Sequence, residues 1–194
     1  MVITVLIRLG AALALLAATL LADTSPATAQ PKGGPGTTRI FVTIEGVKQG
    51  KFKADGGPQF GDRIPALQLS FEVDSPRDLA TGQASGKRQY KPLTITKEWG
   101  AASPQLFQAT ATNEILKSVF IEVFRTTGTG TEEVVATIRL TNATIGKYRT
   151  SVSDAASGDG PAGRLIDHAE FTFQKIEISH PAAKTGAMDD WVAR

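Results

Sequence analysis

The amino-acid sequence predicts a mainly β domain of two packed antiparallel sheets with one short flanking α-helix. Apolar residues recur at every second position in six segments between Arg39 and Ser179, the period of a strand with one buried face. Nineteen Gly and ten Pro punctuate those segments with turn chemistry. One stretch alone has the spacing of a helix. The chain contains no cysteine, so packing and not disulfides must hold the fold.

Residues 1–29 have the layout of a secretory signal peptide. Met1–Arg8 carries a single positive charge, Leu9–Leu21 is an apolar run of 13 residues, and Ala27-Thr28-Ala29 supplies small residues before a cleavage point at Gln30. A membrane-crossing helix needs about 20 apolar residues, more than that run offers. The competing reading is an uncleaved anchor, in which Val2–Ile7 lengthens the run and Arg8 lies inside it. Both readings export the rest of the chain to the periplasm or beyond, and after cleavage no contact with the membrane is expected. Residues 30–38 (QPKGGPGTT) offer no apolar face and are expected to be a flexible linker.

The folded domain is expected over 39–180. Arg39–Glu45 sets Ile40, Val42 and Ile44 against Phe41, Thr43 and Glu45. Turn residues Gly56-Gly57-Pro58 precede a second strand, Leu67–Val73, with Leu67, Leu69, Phe71 and Val73 on one face. Further strands are expected at Tyr90–Lys97, Ser118–Arg125 and Glu132–Thr141, the last two joined by a hairpin at Thr127-Gly128-Thr129-Gly130. In Ala169–Ser179 the apolar parity changes between Phe173 and Ile176, which predicts a β-bulge near Gln174 or Lys175. Ser103 as N-cap and Pro104 at the first helical position open a helix that ends near Asn113. Two polar, Gly-rich loops, Asp74–Arg88 and Ser153–Gly163, are too long for simple turns, and loops of that length are either functional or merely solvated. Residues 181–194 have little periodicity and are expected to be a mobile tail unless Trp191 docks on the domain.

The inventory of reactive groups argues against an enzyme. Without cysteine, thiol catalysis and Cys-bound zinc are excluded, and two histidines cannot build a His-rich metal site. His168 with Asp167 or Glu170, plus His180, leaves a two-His, one-carboxylate site formally open, but both histidines read as partly exposed strand-end residues. No Gly-x-Ser-x-Gly element is present. Two carboxylates flanking a sugar bond remain conceivable. The adjacent pair Asp189-Asp190 falls in the expected tail and reads as solvated charge. Gly158-Asp159-Gly160 lacks the ligand spacing of a calcium loop, and Asn142-Ala143-Thr144, although a glycosylation triplet, reads as ordinary strand. No catalytic residue, cofactor or metal is therefore expected. Removing 1–29 takes away one Arg and one Asp and leaves the net charge at +2, with both signs interspersed and no basic cluster of the kind that nucleic acid requires.

Two stretches carry more than periodicity. Gly86-Lys87-Arg88-Gln89-Tyr90-Lys91-Pro92-Leu93-Thr94-Ile95-Thr96-Lys97-Glu98, followed by Ser103-Pro104-Gln105-Leu106-Phe107-Gln108-Ala109, resembles the strand-then-helix core of the Hcp family, the tube subunits of type VI secretion systems. Ile138–Ile145 and Glu170–Ile176 resemble that family's later strands in the same order, so the likeness runs from about Ile40 to His180. The resemblance implies an Hcp-like β-barrel that closes into a hexameric ring through head-to-tail contacts. It also implies stacking into a tube and, in some members, carriage of secreted effectors in the lumen. In that family a long loop after the second strand reaches toward neighbouring subunits. The matching positions here give Arg77, Asp78, Lys87 and Arg88 as subunit-interface residues. One departure stands out: tube subunits are loaded from the cytoplasm and lack a secretory leader, which this chain has. The alternative is a monomeric secreted or periplasmic module that binds glycan or protein through Tyr90, Trp99 and Trp191.

Overall fold

In the computed structural model, residues 36–54, 60–152 and 163–192 are described. The leader, most of the linker, Gly56-Gly57-Pro58 and all of the Ser153–Gly163 loop except Gly163 lie outside them. The elements are β1 (Thr38–Gly46), β2 (Gly50–Lys51), β3 (Ile64–Ala66), β4 (Gln68–Ser70), β5 (Val73–Asp74), β6 (Gln89–Tyr90) and β7 (Leu93–Glu98). After them come α1 (Ser103–Ala111), β8 (Leu116–Thr126), β9 (Glu132–Val152), β10 (Leu165–Thr172), β11 (Lys175–His180) and β12 (Thr185–Asp190).

Every pairing is antiparallel, and ten of the strands form one continuous sheet in the order β2-β1-β8-β9-β10-β7-β4, with β11 and β12 branching from β9 and β3 from β1. The sheet folds over itself along β9. The first part of this 21-residue strand pairs with β8 and β11, and the part after Ala143 pairs with β10. At the corner Asn142 takes a positive φ of 48°, and its amide donates to Gln174 Oε1 at 2.9 Å. Just beyond, Lys147 faces Glu170 while Ile145 faces Phe171, so Gly146 is the extra residue of a bulge. A bulge bends and twists its strand, so the triplet read as plain strand is in fact where the chain turns from one layer into the other. The two outer edges of the folded sheet are joined by residues 64–70: β3 binds β1, Leu67 N–H donates to Thr96 O, and β4 binds β7. That bridge makes a barrel of the two layers.

The two-residue period places the core. Val42, Ile44, Val119, Ile121, Leu140 and Phe171 meet inside the barrel, with Leu106 and Ala109 of α1 against them. Phe41, on the opposite parity, is buried as well. It packs against Phe60 and Phe124, 5.5 Å away in each case, and is covered by the guanidinium groups of Arg39 and Arg63 at 5.0 and 4.5 Å. The strand expected over Leu67–Val73 is shorter and more exposed than its alternation suggests, because it runs along an edge with packing on one side only.

Three further differences concern punctuation. The parity change near Gln174 is a crossing, not a bulge: β10 ends at Thr172, and after Phe173-Gln174 the chain enters the other layer as β11. Ser103 is the first residue of α1 and makes no capping bond; its Oγ accepts from Gly100 N–H at 2.9 Å and donates to Asp167. Residues 181–194 include an ordered strand, since Thr185–Asp190 pairs along the whole of β11.

After α1, Asn113 takes the left-handed conformation and Glu114 turns inward. Its carboxylate accepts from Lys48 N–H at 2.6 Å, Gln49 N–H at 2.8 Å and Gln49 Nε2 at 2.9 Å, fastening the β1–β2 turn. Burial pushes this carboxyl up, but the hydrogen bonds from Gln49 and Lys48 outweigh it and hold the group below the usual carboxylate range. A Cβ on Gly46 would overlap Glu114 Oε1, in a carboxylate that three hydrogen bonds keep from moving aside. Glu114→Gln, which turns an amide donor toward N–H groups, is expected to cost about 2 kcal/mol in urea unfolding at pH 7, and Gly46→Ala about 1–2 kcal/mol. Because the folded-state pKa is depressed, the contribution of Glu114 is complete above about pH 4.3 and fades as pH falls through the folded value. The acid limb of the wild-type stability curve should therefore be steeper than that of Glu114→Gln.

Candidate assembly surface

The Asp74–Arg88 loop is an ordered hairpin. Val73 pairs with Tyr90 and Asp74 with Gln89 at its root, Ser85 N–H donates to Pro76 O, Arg77 bridges to Ala84, and Asp78 N–H donates to Gln83 O. At the tip the Asp78 carboxylate accepts from Thr81 N–H at 2.7 Å, Thr81 Oγ1 at 2.9 Å and Ala80 N–H at 3.0 Å, and the Thr81 bonds hold its carboxyl low. Gly82 has a φ of 68°, which the reversal requires. Arg77 Nη1 donates to Gly82 O at 3.2 Å. Leu79, between them, is fully exposed.

Of the four residues assigned to an interface from the sequence, the structure employs three inside the chain, Arg77 through its bond to Gly82 O. Asp78 shapes the turn. Arg88 points back to the domain, where its Nε and Nη2 both donate to the Asp189 carboxylate. Tyr90 Oη donates to the same carboxylate at 2.8 Å. The Trp191 ring meets Tyr90 edge-on at 5.5 Å, with the Arg88 guanidinium 5.6 Å from its centre. Burial raises the Asp189 carboxyl, and the Tyr90 and Arg88 bonds more than reverse that. Asp189, read as solvated charge, thus anchors the root of the hairpin. Trp191 was the one hint of this in the sequence, and it does dock. Between the root and β11–β12 lies an open apolar groove of about 190 Å³, lined by Phe71, Val73, Ile176, Ile178, Ala187 and Met188 with Tyr90 and Asp189 at one wall. Of the three aromatics offered as a ligand platform, Tyr90 and Trp191 come together, and Trp99 stands just past the far end of β7, bonded through its amide to Leu165 O.

His168 and the Lys97–Ser103–Asp167 group are closed in the interior, and His180 is exposed. His168 is not at a strand end: it lies within β10, buried, with Nδ1 3.2 Å from Thr96 Oγ1. His180 does end β11 and accepts from Ala183 N–H at 3.1 Å. Asp167, fully buried, accepts from Tyr148 Oη and Thr150 Oγ1 at 2.8 Å each and from Ser103, with Lys97 Nζ 3.5 Å away. Lys97 also donates to Ser103 Oγ at 3.1 Å and to Glu98 O. Burial, above all, pushes the Tyr148 hydroxyl up to about 12. A serine beside a lysine is the material of a nucleophile, but side chains with 0–4% exposure can meet no substrate. This network pins the start of α1 to β7 and β10. Periodicity missed it because Lys97 and Asp167 are 70 positions apart and meet only through the β7–β10 register.

The described residues thus form an all-antiparallel barrel with a buried polar network and an ordered hairpin beside an apolar groove. The sequence profile described as "Type VI secretion system effector, Hcp" matches residues 41–180. The chain is 30% identical over 164 residues to the "Major exported protein" of Pseudomonas aeruginosa, spanning 79% of this chain and 95% of that one. Its fold is similar to the crystal structure of an Hcp protein, with 28% identity, a TM-score of 0.69 and coverage of 79% and 99% of the two chains. It is also similar to the secreted protein Hcp3 from Pseudomonas aeruginosa, with 27% identity, a TM-score of 0.65 and coverage of 81% and 100%. The chain belongs to the Hcp family, and it is an exported structural protein.

Lys97→Met removes the positive charge beside a buried carboxylate. It is expected to lower stability by about 3 kcal/mol in urea unfolding, the low end for a broken buried pair because Asp167 keeps its hydroxyl partners.

Proposed function

We propose that the mature chain, released from its leader at Gln30 by the general secretory pathway, assembles into hexameric rings by a head-to-tail contact in which the 74–88 hairpin of one copy lies on the next. The observation that carries this reading is the hairpin itself. Its cross-strand bonds and the Asp78 turn stiffen it, so little conformational entropy is lost when a neighbour orders it further. Its tip presents an exposed leucine, which soluble surfaces present singly without consequence but which here sits on a projecting element in a family of secretion-system proteins. Asp78 and Arg88 are engaged within the chain and Arg77 gives one bond to Gly82 O, so Arg77 and Lys87 are the members of the interface set that keep charge to offer a neighbour. The same geometry on both copies gives a heterologous contact, and such a contact closes when the rotation is a simple fraction of a turn. The family resemblance supports carriage of an effector in the lumen of such a ring, and the leader supports a location in the periplasm or outside the cell.

Light scattering on the mature chain tests the assembly. A hexamer is expected, and Arg77→Glu with Lys87→Glu should shift it toward monomer at least about tenfold in concentration, a modest share of what close charge pairs contribute. A wild-type chain that stays monomeric at high concentration contradicts the ring and favours a monomeric binding module. Intact mass of the exported protein should begin at Gln30; a mass that retains Met1 contradicts the cleaved leader.

A further inference from the structure

We propose that Asp189, gripped by Arg88 and Tyr90, is a positioning residue for the assembly hairpin: its carboxylate fixes the direction in which residues 74–88 leave the domain. The inference rests on the reading that this hairpin contacts a neighbouring copy.

The topology creates the need. β5 and β6 form a two-stranded sheet of their own and share no backbone ladder with the ten-stranded sheet. Two residue pairs and one further bond, Lys91 N–H to Glu72 O, make up the root. An isolated two-stranded hairpin is marginal in water, so side chains must set its angle to the barrel. Apolar packing does only part of this. Tyr90 stacks on Phe71 at 5.9 Å and meets Phe173 edge-on at 5.4 Å, which holds one face of the root. Toward β11–β12 the groove is open, with Val73 and Met188 47% and 71% exposed. Across that open side the hairpin is joined to β12 by the polar clamp and by Trp191.

The chemistry of the clamp suits a positioning task. Residues 88 and 90 are two apart and so project to the same side of the strand, which is why both reach one carboxylate. A guanidinium and a carboxylate joined through two parallel bonds have a defined mutual orientation, which a single ammonium contact lacks. Asp189 stands opposite Ile176 in the β11–β12 register, and Ile176 is buried in the core. The carboxylate is thereby referenced to the barrel through one strand pair. The terminal hairpin, whose own residues are mostly exposed, is thus a brace for the loop and not a loose end.

The test uses the mature chain with two readouts: hydrogen exchange at the Lys91 amide, which donates to Glu72 O, in diluted, monomeric protein, and the concentration at which rings dissociate. Asp189→Asn keeps the shape of the side chain and loses its charge. It should speed exchange at the root about tenfold and raise the dissociation concentration about tenfold, with the thermal midpoint of the barrel unmoved. Arg88→Lys should do the same, and Asp189→Glu should recover most of both. Leu79→Ala, at the tip, should weaken rings without changing exchange at the root. Loosened roots with rings unaffected, while Leu79→Ala breaks rings, overturn the positioning role. Rings lost with the root still protected also overturn it, because Asp189 would then touch the neighbour directly. If neither Asp189→Asn nor Leu79→Ala affects the rings, the hairpin reading fails and the positioning role falls with it, while the clamp remains a contact within the chain.

Discussion

The bend in β9 is the constraint on which the rest of the domain depends. A single strand of 21 residues belongs to both layers, so the turn at Asn142 and the extra residue at Gly146 fix how one layer lies over the other. The bridge of residues 64–70 can span the opposite edges only if that angle is right. Phe171 reaches the core from β10 on the same condition. From this corner the chain also crosses between layers at Phe173-Gln174, which delivers β11 and then β12 to the place where Asp189 meets the root of the hairpin. The position of the outermost loop is therefore set, through a few register relations, by a bulge deep in the sheet.

Within this frame polar groups divide into two kinds of work. The Lys97–Asp167–Ser103 network and the Glu114 carboxylate are dry or nearly so, and they fasten the two ends of α1 to strands from different layers. Burying them is tolerable because hydrogen-bond partners surround each one. The Arg88–Asp189–Tyr90 clamp is partly wet, with side-chain exposure of 28–29% for the charged pair, and it orients an external element. No such group is presented to a cleft as a reactive centre among the described residues.

Much of this was legible in the sequence, and the reason is geometric. Val42, Ile44, Val119 and Ile121 announce their strands because each lies on a sheet with one face inside the barrel, where period two is enforced. The same rule misjudged Phe41, since Phe60, Phe124 and the guanidinium groups of Arg39 and Arg63 cover what should have been a solvent face. It missed β12 because Thr185–Asp190 is mostly exposed on both faces and has no pattern to show. Ser103-Pro104 correctly marked a helix start, yet the hydroxyl serves Asp167, a partner 64 positions away that no local string reveals. The interface set drawn from resemblance falls on an ordered hairpin. It could not foresee that Arg88 and Asp78 are satisfied within their own chain, because that depends on where the C-terminus returns.

A cysteine-free chain allows one reactive handle at a chosen place. With a photo-crosslinking side chain at position 79 of the mature protein, the account predicts covalent products that climb in whole multiples of the subunit mass and stop at six. Products confined to the single chain, or a series with no upper limit, would contradict it.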